Sequence, residues 1–169
     1  MDGEARALED WVRRFIVGLD LCPFAAAPLA AGRVRFCALR CTDPDEAVGA
    51  VAQEVARLVE TPASELSTTL IALPGWEDFD VFLDIAWGVE AFLDMAGVDE
   101  LVQVVVFHPR WVAEGEDPED PACATNRSPV PALHLLRQEE VTRAVEGHPD
   151  IASIPARNAD LLRARAQKK

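Results

Sequence analysis

Two long amphipathic stretches lie between three short apolar runs, and this alternation limits the architecture more than any other feature of the chain. The runs are VRFCALR at 34–40, STTLIAL at 67–73 and LVQVVVF at 101–107. The first sets Val34, Phe36 and Ala38 against Arg33, Arg35 and Cys37, the period of a half-buried strand. The third is apolar almost throughout, as expected in the middle of a covered parallel sheet. After the first run, Asp43-Pro44-Asp45-Glu46 combines an N-cap, a proline at the first helical position and a glutamate three residues past the cap. It predicts a helix to about Val59. Val48, Val51, Val55 and Leu58 face inward, and Glu46, Gly49, Gln53, Arg57 and Glu60 form the polar stripe. Pro74-Gly75 ends the second run, and residues 79–95 form another helix. Its acids Asp80, Asp84, Glu90 and Asp94 fall within an arc of about 120°, which marks one wet face.

Strand, helix, strand, helix, strand implies right-handed crossovers and parallel pairing. The expected class is α/β: a small, mostly parallel sheet of three or four strands covered by helices. PALHLLR at 131–137 is read as the fourth strand. Extra helices stand at both ends, at 5–17 (closed by Gly18) and near 138–147 and 154–165. Cys22-Pro23-Phe24 opens a further short helical stretch. Residues 165–169 are expected to fray. No repeat or low-complexity segment divides the chain, so residues 1–169 read as a single domain, long enough for a core without disulfides or structural metal.

The formal net charge of −13 argues against a nucleic-acid or anionic-membrane surface, either of which needs a basic face. Acids dominate residues 1–100. The remainder is nearly balanced, and half of its acids sit in one loop, Glu114 to Asp120. An arginine-bearing region of this kind can hold a small anion; the plainer alternative is a random scatter of charges. No apolar stretch approaches the roughly 18 residues of a membrane span. The start MDGEARALEDWVRR has no apolar segment behind a basic end, so a cytoplasmic location is expected, with Cys22, Cys37, Cys41 and Cys123 as thiols.

Parallel sheets gather ligands at the carboxyl ends of their strands, here Cys41, Pro74-Gly75 and His108-Pro109. Cys22 at a helix start is a candidate thiolate, because backbone N–H groups and the helix dipole favour the charged form. The plainer alternative is a small buried hydrophobe. His108, held extended before Pro109, is a candidate base, cation or ligand, or else a structural hydrogen-bonding group. Asn126, Arg127 and Ser128, stiffened by Pro129 and Pro131, offer a fork suited to carboxylate or phosphate, or alternatively a well-capped turn. His134, Arg137 and Asn158 complete the proposed cluster. Cys22, His108 and His134 are zinc-type donors, but no tight pair spacing supports a site, so no metal is assigned and the cofactor is left open. There is no P-loop, no G-x-G-x-x-G and no G-x-S-x-G.

The blocks Gly18 to Ala25, Thr68-Thr69-Leu70, Phe107-His108-Pro109, Thr125 to Pro129, Leu133 to Arg137 and Arg157-Asn158 together resemble a bacterial family catalogued as domain of unknown function 1415. The resemblance covers nearly the whole chain. It implies that the family's signature positions fall on the residues named above, and it implies no reaction. Two departures stand out. Val130 replaces a tyrosine after the proline of NRSP, and Trp111-Val112 replace an aromatic-rich run after FHP. The chain has no tyrosine, so any family role for a phenol is absent here. The expected function is that of a small enzyme acting on a small anionic metabolite. Cys22 would be its nucleophile or redox thiol, His108 or His134 its base, and Arg127 with Asn126 its anion clamp. A non-catalytic metabolite- or metal-binding protein and a structural or interaction protein are the alternatives. The oligomeric state is left open.

Overall fold

The capping signature at Asp43 folds as its chemistry dictates. In a computed structural model, which describes residues 2–168, the Asp43 carboxylate accepts the Glu46 N–H at 2.9 Å, and Glu46 reaches back to the Thr42 N–H at 2.6 Å. Helix α3 (Pro44–Glu60) follows and joins strand β1 (Val34–Ala38) to strand β2 (Thr68–Ala72). Asp78 caps helix α4 (Phe79–Ala96) by accepting the N–H groups of Asp80 and Val81. That helix ends at Gly97 with φ 67°, a left-handed C-cap that glycine adopts at no steric cost. Strand β3 (Val102–Phe107), strand β4 (Ala132–Arg137), helix α5 (Gln138–Gly147) and helix α6 (Ile154–Ala166) complete the second half. At the start, helix α1 (Gly3–Trp11) continues as a π-helical segment (Val12–Val17), and helix α2 (Ala26–Ala30) precedes β1.

The α/β class, the fourth strand and the helical cover match expectation, but the mostly parallel sheet does not. The order is β1-β2-β4-β3. Only β1 and β2 are parallel neighbours, and β4 runs antiparallel to both β2 and β3. The crossover logic holds for β1, β2 and β3, which share one direction. The chain after β3, however, forms no crossover helix. It stays at the carboxyl end of β3 through residues 108–131, so the next strand starts at that end and runs back between β2 and β3. LVQVVVF is therefore an edge strand, not the middle of the sheet. At the C-terminus α6 continues to Ala166, and Lys169, the last residue of the segment expected to fray, lies outside the described residues.

Pairing register assigns the faces. Ala38, Ala72, Ala132 and Phe107 form one row at the edge where β1, β2 and β3 end. Phe36, Leu70, His134 and Val105 form a row two residues further in, on the same face. That face packs against Leu8, Val12 and Leu29 of the N-terminal helices. The opposite face, with Ile71, Leu133, Leu135 and Val102, packs against Val51, Val55 and Leu58 of α3 and Phe82, Ile85 and Val89 of α4. Arg35 and Cys37 of β1 lie under α3, where Arg35 forms a two-pronged pair with the buried carboxylate of Glu54 at 2.7 and 3.0 Å. No helix among the described residues is long and apolar enough to cross a membrane.

Candidate functional site

The segment that fails to cross over becomes the wall of a cleft. Residues 108–131 leave the edge of the sheet, turn through a short 3₁₀ helix (Pro121–Asn126) and lie against α6. Asp120 caps that helix through the Ala122 N–H at 2.9 Å, an Asp-Pro start like that of α3. Between this wall and α6 is an open cavity of about 380 Å³. Trp111, Cys123, Thr125 and Asn126 face it from the loop side, and Pro155, Asn158 and Arg163 from the helix.

The signature residues build these walls. His108 is fully buried. Its Nε2–H donates to the Trp76 carbonyl at 3.1 Å, and its Nδ1 accepts the Arg110 N–H at 3.0 Å. Both ring nitrogens are therefore occupied in the neutral tautomer. Phe79 and Phe82 lie against the ring, and burial pushes its pKa below the ordinary range. The His108 backbone N–H donates to the Asn126 carbonyl, and its carbonyl accepts the Trp111 N–H. Arg127 donates from Nε to the Trp111 carbonyl at 2.8 Å and from Nη2 to the Pro118 carbonyl at 2.7 Å. Trp111 is thus held at both its N–H and its C=O. Ser128, also buried, donates to the Val130 carbonyl at 2.5 Å.

Asn158 is buried at the base of α6 and donates to the Leu21 carbonyl at 2.7 Å. Arg157 pairs with Asp20 at 3.2 Å, and Asp20 has a left-handed backbone, φ 53°. The C-terminal signature pair thereby anchors the N-terminal turn that leads into Cys22.

Other expected members of the cluster lie elsewhere. Arg137 pairs in register with Val102, so it lies at the opposite end of β3 from His108, about 20 Å away along the strand. Its Nη2 donates to the Leu58 and Thr61 carbonyls at 2.5 Å each, and both Nε and Nη2 donate to the Leu66 carbonyl at 3.1 and 3.0 Å. It caps the end of α3. His134 sits mid-strand beneath the N-terminal helices. Thr68 donates its hydroxyl to the Leu135 carbonyl at 2.6 Å, so it accepts from His134 Nε2–H, also at 2.6 Å. Phe107 stacks on the imidazole, and burial lowers its pKa to about 4.

Cys22 is not the helix N-cap expected of it: residues 23–25 form a turn, and α2 starts only at Ala26 with Ala25 at its N-cap. Burial raises the thiol pKa, and the N–H groups of Phe24 and Ala25 oppose it. The Asp20 charge adds to burial, and the thiol is raised rather than activated. No histidine nitrogen lies within hydrogen-bonding reach of its sulfur among the described residues. The Cys22, His108 and His134 set does not converge, and no group of three or more His, Cys, Asp or Glu among the described residues is arranged to hold a metal ion.

The cleft's own charged groups were not singled out by sequence reasoning. Arg163 spans its two walls, donating from Nη2 to Asp120 at 2.6 Å and from Nε at 3.1 Å. The pairing, with the Ala122 N–H, holds the Asp120 carboxyl below its usual range. Glu116 lies on the loop side. The signals available beforehand were the length of the loop and the Asp120-Pro121 cap.

The fold and cleft together define an α/β protein built on a four-stranded mixed sheet, with an open cavity where the β3–β4 connection meets the C-terminal helix. Residues 4–169 match the profile of the family described as protein of unknown function (DUF1415), and the chain belongs to that family. No curated protein and no solved structure is detectably similar to it.

Proposed function

We propose that this protein binds a small polar molecule in the cleft between α6 and residues 111–126. The reading rests on one observation. An open cavity of about 380 Å³, within the range of small-molecule sites, combines an aromatic wall with polar side chains that have hydrogen-bonding capacity left. The Asn126 carboxamide meets no protein partner among the described residues. Thr125 donates to the Ala122 carbonyl at 2.9 Å and keeps its acceptor positions. Trp111 offers an indole whose backbone is held at both ends. This reading moves the site away from Cys22 and His134, and it gives His108 and Arg127 the role of positioning the wall. The expected anion clamp loses support, because two of Arg127's donors already meet carbonyls and Arg163 already meets Asp120.

The test is equilibrium dialysis of the purified protein against a small-molecule extract, with bound compounds read by mass spectrometry. Ala159→Trp fills the cleft from the α6 side, and circular dichroism checks that it folds. The expected result is a compound retained by the natural chain and lost from the variant. Retention of the same compounds by both, or of none by either, overturns the reading.

A further inference from the structure

The charges around the cleft specify the class of molecule that suits it, an inference that rests on the binding role proposed above. Among the described residues Arg163 is the single cation lining the cavity. It is met by Asp120 at 2.6 Å and by Asp160 at 3.9 Å, and the Glu116 charge also acts on it. One guanidinium thus stands among three carboxylates, and its fork is already directed at one of them. The loop from His108 to Pro131 adds Glu114, Asp117 and Glu119 to that field, against Arg110 and Arg127. Arg127 directs two donors at the Trp111 and Pro118 carbonyls. The lining therefore carries an excess of negative charge beside an aromatic surface, Trp111, and the carboxamide of Asn126; the Asn158 carboxamide already meets Arg157 and Leu21. Carboxylate, indole and amide oxygen are the three groups that together recognise an organic cation: charge pairing, cation–π attraction and hydrogen-bond acceptance.

We infer that the cleft takes a small organic cation, an amine or guanidinium compound, with its charged end between Glu116 and the face of Trp111. The Asp120–Arg163 pair fixes the two walls at their working separation. An anion would meet the same acids as repulsion, and a neutral amide would leave the excess charge uncompensated.

Isothermal titration with three four-carbon probes matched in length separates these cases: 1,4-diaminobutane, succinamide and succinate. The diamine is expected to bind, and raising salt from about 20 to 300 mM is expected to weaken it several-fold by screening. Glu116→Gln is expected to weaken it about two- to fivefold, as for one solvent-facing charge pair, and Trp111→Leu to weaken it by a similar factor. Glu90→Gln, on the distant face of α4, is expected to change nothing, which separates the cleft from the general attraction of an acidic protein. Succinamide or succinate binding as well as the diamine overturns the cation inference and leaves the binding role standing. Equal diamine affinity in Glu116→Gln, or no diamine binding at all, also overturns it. The binding role itself falls only with the extract experiment.

Discussion

Acidification tests the internal electrostatics directly, through His134. Its Nε2–H is donated to Thr68, Phe107 covers one face, and burial lowers its pKa to about 4. In the unfolded chain an exposed histidine titrates near 6.5. Between those two values the unfolded state binds the proton and the folded state does not, so stability falls as pH drops through that window. The contribution is intact above about pH 6.5 and is lost progressively toward pH 4. Integrated from neutral pH to about pH 4.5, the loss is on the order of 2–3 kcal/mol, a large part of the 5–15 kcal/mol typical of a domain. Carboxylates that are charged in the fold, such as Glu4 beside Arg40 and Asp120 beside Arg163, lose their contributions at lower pH and would confuse a single curve. The variant His134→Gln separates the effects: the amide can still donate to Thr68 but does not titrate. Urea unfolding at pH 7 and about pH 4.5, followed by circular dichroism, gives stability for both chains. The natural protein should lose roughly 2–3 kcal/mol more than the variant over that interval. Equal losses would mean that the folded protein accepts a charged imidazole at this position, and the argument from burial would be wrong.

Two further outcomes follow from groups the fold has placed. Arg137→Met leaves the Leu58, Thr61 and Leu66 carbonyls at the end of α3 without their donor, and should cost about 2–4 kcal/mol in chemical denaturation; a loss under about 0.5 kcal/mol would show that water replaces the guanidinium. Alkylation by iodoacetamide as a function of pH should be slow at Cys22, with a midpoint above that of an ordinary thiol. It should be slower still at Cys37, whose pKa is pushed up to about 11 by burial and the Glu54 charge; fast reaction of Cys22 near neutral pH would restore the thiolate that the sequence first suggested.

Periodicity carried the elements well, because each depends on local pattern. The Asp43 cap, the β2 run ended by Pro74-Gly75 and the wet face of α4 lie where their residues place them. Strand order did not follow from pattern. LVQVVVF looks central because Val104 and Val106 pack on the α4 layer while Phe107 packs on the other face, yet an edge strand covered on both sides reads the same way. The available clue was negative: no helical period separates His108 from Pro131, so nothing returns the chain to the other end of the sheet. The site was legible in location more than in membership. The carboxyl edge of the sheet does lead into the cleft, and Asn126 and Asn158 line it. Arg137 and His134 were grouped with His108 by chemical type, but β4 runs downward from the edge and carries them away from it.

The arginines explain why residue type misled. Arg127, Arg137 and Arg157 each reach main-chain carbonyls of segments distant in sequence, at Trp111, at Leu58 and Leu66, and at Asp20. A guanidinium suits that task for the same reason it suits an anion. Its N–H groups are fixed in a plane and pair with several acceptors at once. Sequence shows the fork and not what it meets. In this fold the longest connection and both terminal regions lack ladder partners, and the forks supply fixed points instead. Arg127 holds the loop, and Arg157 with Asn158 ties the last helix to the first turn. The groups left to meet a ligand are those without such duties, chiefly Glu116, Asn126 and the Trp111 indole. Substitution separates the two kinds: loss of a brace lowers stability, whereas Glu116→Gln leaves stability unchanged and alters only what the cleft retains.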